Sequence, residues 1–519
     1  MLKYMQKNRV NKKIIFTCFI LMLLLCSGCI TNPNINNDIK NDTLIVGVLS
    51  ADTIYPLNIT NSNFWTLIPN IFDGLVEFDE KFHIIPALAV SWNNPDSYTW
   101  RFYLRQGVKF HNGDDFIAED VRFSIDTFHS SFDTIIREIN IVDNYTIEFK
   151  TFEPNPSLLE RLAHVGIIVC KNITEQPEGQ KMIGTGSYKL ADYEINMYTT
   201  LERFDKYWRE KPEIKTAMFR VIKDDEERLH ALLSGNIDIA EYNIDNKIDQ
   251  IMQEENITLV KYPPLSTYII GFDMRKNRSY AFPDDMNPTA DLRVRKAIYQ
   301  AIDITPLIHG PFKDLAQPAS QFLTPYIFGY NPEIERLPYN VTASKQLLAD
   351  TGYKDGFDIV MDCIIEGYEY NEENCHLISQ QLSKVGIHVT INNLSTTEFN
   401  RKVVRERNTS MYLVGWGTIS GDGGFAYDLF IRSVGENVGG LNSGYYSNAE
   451  VDRLGIKASK EMDSEKRLQL LQQGFKISLV DDVMVVPLFS QELFTLTAKN
   501  IKLIPRADLR IIVKDIRFI

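Results

Sequence analysis

The chain has 519 residues, 44% hydrophobic and 24% charged, the balance of a globular body, and it is too long for one core, so two or more lobes are expected. Its formal net charge is −13, and taking away the five basic residues at its start, Lys3, Lys7, Arg9, Lys12 and Lys13, leaves −18. That excess of acid, with no compensating basic stripe, excludes nucleic acid or an anionic lipid surface as the main partner.

Those five basic residues open the chain without any acid. An apolar run over 14–25 follows, then Ser27-Gly28 and Cys29. The run is about a dozen residues, shorter than the ~20 that a membrane-spanning helix needs. The order basic, apolar, small is that of an export signal over 1–28, cleaved after Gly28. A cysteine directly after such a site resembles the lipobox of exported lipoproteins, with Cys26 standing where that motif has Leu, so Cys29 is the expected lipidated residue. The stretch 29–42 is rich in Asn and poor in apolar residues. It cannot bury a core and is expected to be a flexible stalk holding the domain at the outer face of the cell membrane.

From residue 43 onward β-rich runs alternate with amphipathic helices, which predicts an α/β chain. Strand-like runs cover 43–49 and 146–150. Two hairpins are predicted, one from 75–78 and 82–85 around Asp79-Glu80-Lys81, the other from 98–104 and 108–110 around Gln106-Gly107. Helices are predicted over 224–233, 292–301, 344–348 and 464–480, where apolar residues recur every three or four positions. After cleavage Cys29, Cys170, Cys363 and Cys375 remain, none in a metal-ligand spacing. Cys363 and Cys375 either form a disulfide outside the cell or stay as two buried thiols.

Several strings in this order resemble those of the extracellular solute-binding proteins of family 5, which bind dipeptides, oligopeptides and nickel. They include Ile71-Phe72-Asp73-Gly74-Leu75, Gly107-Val108-Lys109-Phe110-His111-Asn112-Gly113, Gly184-Thr185-Gly186-Ser187-Tyr188, Phe204-Asp205-Lys206-Tyr207-Trp208, Gly235-Asn236-Ile237-Asp238, Gly415-Trp416 and Ser447-Asn448-Ala449-Glu450-Val451-Asp452. The resemblance implies a two-lobed periplasmic-binding-protein-like fold with hinge strands and an extra β-rich subdomain inserted in the first lobe. Mapped here, the first lobe takes 43–61, 182–270 and 490–519, the insert 62–181, and the second lobe 271–489. Hinge strands are expected near 269–272 and 489–493. The implied partners are a peptide or small-molecule ligand and an ABC permease with its ATPase subunits.

No HExxH, GxSxG or P-loop string occurs, and the eight His are scattered singly, so nothing motivates an enzyme, a cofactor or a metal site. His111 is expected to be structural, and His376 to sit in a solvated helix start. The informative segment is Gly415 to Asp428. There glycines let backbone approach a ligand and an aromatic and acids offer orientation. In peptide-binding relatives an Asp shortly after the Gly-Trp pair holds the ligand's α-ammonium group, and Asp422 is the best match, with Asp428 as its rival across an apparent two-residue insertion. Trp416 and Trp65 either wall the cleft or pack in the core, and Tyr445 is a weaker ligand-binding candidate. A nickel-chelate or other small-ligand binder, an exported hydrolase and a signalling receptor are the alternatives.

Overall fold

The computed structural model describes residues 42–50, 64–128, 130–166, 168, 170, 182–242, 248–276, 287–366, 370–418 and 420–519, with the side chains of 64–66, 128 and 130 excepted. The export signal, Cys29 and nearly all of the stalk lie outside the described residues. Residues Thr43–Ile519 pack as one unit.

The first strand, β1 (Thr43–Val48), buries Leu44, Val46 and Val48 on one face while Ile45 packs into a second core on the other. Apolar side chains on both faces suit the middle of a parallel pair. The helix Phe64–Ile71 leads to a hairpin of β2 (Val76–Phe78) and β3 (Ile84–Pro86). The Asp79 carboxylate closes it by accepting from the Lys81 and His83 amides, much as its Asp-Glu-Lys turn predicts. The second predicted hairpin is not formed. β5 (Thr99–Leu104) has both edges taken, by β4 (Ala89–Asp96) and by β7 (Thr146–Thr151), which in turn pairs with β6 (Ile136–Asp143). Lys109 is left with a single bridge to Asp115. This four-stranded antiparallel sheet and the helix Ala118–Phe128 form the β-rich insert.

The helix Leu158–Val165 follows the insert's sheet. The chain then builds β8 (Tyr188–Glu194), β9 (Tyr198–Arg203), β10 (Thr216–Val221), the helix Asp225–Leu233, β11 (Ile239–Glu241) and β12 (Ile257–Lys261). Asp224 caps that helix by accepting from the Glu227 amide, and three acids fill its first turn, where they complement the exposed N–H groups.

At 262–265 the chain crosses to a second sheet. There it lays down β13 (Ser266–Phe272), β14 (Ala316–Pro318), β15 (Phe357–Ile364), β16 (Ile387–Leu394), β17 (Met411–Gly417) and β18 (Val485–Gln491), and it returns at 492–493 to β19 (Phe494–Ala498). The seven-stranded sheet has order β12-β19-β11-β1-β10-β9-β8 and the six-stranded one β14-β18-β13-β17-β15-β16. The two crossings run side by side, the Tyr262 amide donating to the Leu493 carbonyl at 2.8 Å and Lys261 reaching Glu492 at 2.8 Å. The first lies earlier than 269–272, because Ser266 already pairs with Gly417 and Gln491 inside the second sheet. Cys363 on β15 and Cys375 on the helix Asn371–Ser383 are joined in a disulfide. The fold is therefore two α/β lobes with a β-rich subdomain inserted in the first.

Four of the sequence strings converge on one junction. The Asp73 carboxylate accepts from Thr185 Oγ1 and from Trp208 Nε1, both at 2.8 Å. Gly184 and Gly186 lie against the backbone of Ile71, and the Gly186 amide donates to the Ile71 carbonyl at 2.9 Å. His111 clamps the same strand entry: its Nδ1 accepts from the Gly184 amide at 3.3 Å, so its Nε2 donates to the Gly186 carbonyl at 3.0 Å. The junction joins the insert to the first lobe; it is not a passage between lobes. Burial pushes the His111 imidazole down to about 4, so it is held neutral. Unfolded, it titrates near 6.5, and the unfolded chain therefore binds the extra proton between those values. Stability present above pH 6.5 is lost as pH falls toward 4, by about 2 kcal/mol between pH 7 and pH 5 from this group. His111→Gln is expected to flatten the fall in unfolding free energy between those pH values, read from urea denaturation, by that amount. An unchanged pH slope would show that His111 does not carry it.

Candidate functional site

The apolar run Met411-Tyr412-Leu413-Val414 makes β17, which pairs with β13 as far as Gly417. A Cβ at Gly417 would stand 2.5 Å from the Leu265 carbonyl oxygen, so only glycine lets the strand end this close to its neighbour. The following loop is fastened by reciprocal backbone bonds, Phe328 N to Gly421 O at 3.0 Å and Gly423 N to Phe328 O at 2.7 Å. It ends in the short helix Gly423–Ala426, whose Gly424 amide donates to Asp422 Oδ1 at 2.5 Å.

This loop is one wall of a cavity of about 600 Å³. The facing wall is the helix Leu158–Val165 with the preceding Asn155 and Ser157, so the second lobe and the insert both contribute. Leu158 and Leu162 bury one side of that helix, while Glu160 and His164, one turn apart and thus on one face, line the cavity. Lys460 and Glu153 tie the two walls at the surface, at 2.7 Å.

Trp416 lies at the end of β17, between an aromatic cluster and the cavity. It packs edge-on against Phe430, ring centroids 4.4 Å apart, and against Phe322 at 6.4 Å, and it also lines the cavity. Asp422 lines the cavity too, but its carboxylate does not stand free: Arg467, from the helix Ser464–Lys476, grips it with Nη1 to Oδ2 at 2.8 Å and Nη2 to Oδ1 at 2.9 Å. Both partners are buried. Arg467 also donates to the Ala458 carbonyl at 3.2 Å and lies over the Phe328 ring. In this arrangement Asp422 caps a helix and anchors a guanidinium. Asp428, on the turn Tyr427–Ile431, lines the cavity and accepts from Arg432 Nη1 at 3.2 Å. Burial raises its carboxyl above the usual range, against the pull of Arg432.

Tyr445 lies elsewhere, at φ +54°, its ring 4.3 Å from the Arg275 guanidinium and 5.5 Å from that of Arg407. The helix Phe64–Ile71 carries Trp65, whose side chain is outside the described ones. Sequence reasoning missed Glu160, His164 and Arg467. Burial pushes His164 down to about 4, with Arg510 adding to it. Burial first, and then the charge of Asp422, pushes Glu160 up to about 8. No string marks any of the three; the one available signal is the i,i+4 placement of Glu160 and His164 on an amphipathic helix.

Residues 83–437 match the family profile described as bacterial extracellular solute-binding proteins, family 5 middle. The dipeptide-binding protein of Escherichia coli (strain K12) is 24% identical over 472 residues, covering 83% of this chain and 86% of that protein. The heme-binding protein A of Haemophilus influenzae is 25% identical over 444 residues, covering 78% and 79%. The solved structure of HbpA2 from Haemophilus parasuis shares the fold with a TM-score of 0.82 at 22% identity, covering 92% of this chain and 100% of that one.

Proposed function

Because the chain belongs to the bacterial extracellular solute-binding proteins of family 5, we propose that it is the extracytoplasmic binding component of an ABC importer, tethered through Cys29, and that it captures short peptides in the cavity faced by Trp416 and Glu160. The observation that carries this reading is that one cavity of about 600 Å³ has a wall on the insert and a wall on the second lobe. That volume lies inside the roughly 300–1,000 Å³ of small-ligand sites. An occupant touching both walls binds the closed arrangement better than the open one and shifts a hinge equilibrium by that difference. The hinge is the hydrogen-bonded pair of crossings at 262–265 and 492–493. In this reading 43–61, 182–261 and 494–519 move as the first lobe with the insert 62–181, against 266–491. The closed form docks on the permease, ATP is hydrolysed by separate subunits, and no bond of the ligand is made or broken.

The test is calorimetry of the mature chain with di-, tri- and tetra-alanine, with a nickel–histidine complex and with haem, followed by small-angle scattering of the saturated protein. Peptide binding, a smaller radius of gyration on saturation and a loss of roughly tenfold or more in affinity for Trp416→Ala are expected, since truncating a central aromatic costs about 2 kcal/mol. Binding of the nickel complex or haem without peptide binding would replace the peptide reading by the other one.

A further inference from the structure

Glu160 is a half-buried acid of the cavity with one oxygen that no pairing accounts for. Its Oε2 is sealed from solvent and has no hydrogen-bond partner, an arrangement that disfavours a bare carboxylate. The charged groups acting on it from the second lobe are Asp422 and Arg467. On its own helix Arg161 and His164 line the cavity, and Asp428 lines it further along. Arg467 already gives both its Nη atoms to Asp422, so one guanidinium faces two carboxyl groups. Charge balances at this spot in two ways: Glu160 carries a proton, or a cation enters and Glu160 ionises. The aromatic face of Trp416 on the same cavity suits an organic cation.

We infer that Glu160 is the anchor for a ligand ammonium group, and that binding exchanges the carboxyl proton of Glu160 for that ammonium. This rests on the cavity being the ligand site. The ammonium pairs with the Glu160 carboxylate as its O–H proton leaves to solvent, so the cavity keeps its net charge. Burial and Asp422, which push Glu160 to about 8, put the proton there across the neutral range. Affinity for an ammonium ligand therefore rises with pH to a maximum near 8 and falls above it as the ligand amine itself loses its proton.

The experiment is titration calorimetry of the mature chain with tri-alanine and N-acetyl-tri-alanine at pH 6.5, in phosphate and in Tris, whose ionisation heats differ. Release of about one proton per tri-alanine is expected, and none with the acetylated peptide. Glu160→Gln, which keeps the shape of the protonated acid, is expected to abolish proton release. It should also weaken tri-alanine roughly tenfold or more, leave the acetylated peptide unaffected, and unfold at the wild-type urea midpoint at pH 6.5. Tri-alanine binding with no proton released, and equally well by Glu160→Gln, overturns the inference and leaves the capture reading standing. If neither peptide binds the wild-type chain, the peptide reading fails and the role of Glu160 fails with it.

Discussion

Arg467→Met is expected to lower the unfolding free energy by about 3–5 kcal/mol, the usual result of removing one member of a buried ion pair. Arg467 and Asp422 are 5% and 2% exposed, so neither charge has water to fall back on. Without the guanidinium, Asp422 is left beside Glu160 with only the Gly424 amide and its own loop to satisfy it, and the Ala458 carbonyl loses its donor. The double variant Asp422→Leu with Arg467→Met is expected to recover most of the loss, because an apolar pair leaves no bare charge behind. Urea denaturation of the three proteins at pH 5 and pH 7.5 measures this. A single variant within about 1 kcal/mol of the wild type at pH 7.5 would mean that the pair does not hold the cavity floor.

Gly184→Ala is the second large effect. A Cβ there would stand 2.1 Å from the Ile71 carbonyl oxygen, and at Gly186 it would stand 2.5 Å from the Ile71 carbonyl carbon. Neither glycine is in the left-handed region, so the conflict is one of backbone packed on backbone. Relief requires the helix Phe64–Ile71 to part from the entry to β8, which also breaks the Thr185–Asp73 and His111 bonds. Forced overpacking of this kind costs about 3 kcal/mol or more. Gly235→Ala is the control. At φ +71° with nothing within 4 Å of its Cβ, it should lose only about 1–2 kcal/mol of left-handed strain. Equal losses at the two positions, read from thermal or urea midpoints, would show that the junction yields.

That junction was legible as strings before it was legible as a place. Asp73, His111, Gly184-Thr185-Gly186 and Trp208 each stand in a string that resembles the family, yet only the fold shows them hydrogen-bonded to one another. Helices were read well where a cap and an apolar stripe coincide. Leu292–Ala301, with Asp291 accepting from the Arg293 amide, is found over its predicted span. The site was read less well, for a physical reason. The Gly-Trp strand end and Trp416 are local features, whereas the state of Asp422 is decided by Arg467, 45 residues away in sequence, and Glu160 acquires its environment from another lobe. The failed second hairpin has the same origin, since a strand's choice of partner depends on which edges are already filled.

The crossings between lobes also bear on how such a chain reaches its fold. β19 comes from residues 494–498 and lies in the seven-stranded sheet between β11 and β12, hydrogen-bonded to both. The segment 511–513 then pins the helix Phe64–Ile71, with the Val513 amide on Asn70 Oδ1 at 2.8 Å and Asn70 Nδ2 on the Ile511 carbonyl at 2.9 Å. A polypeptide emerging amino end first therefore cannot seal its first lobe until residues 494–513 arrive. Until then it carries an open sheet with unpaired edges, a slow, long-range closure of the kind that keeps a nascent chain dependent on protection from aggregation. The second lobe, whose strands all lie between residues 266 and 491, is free to close before it.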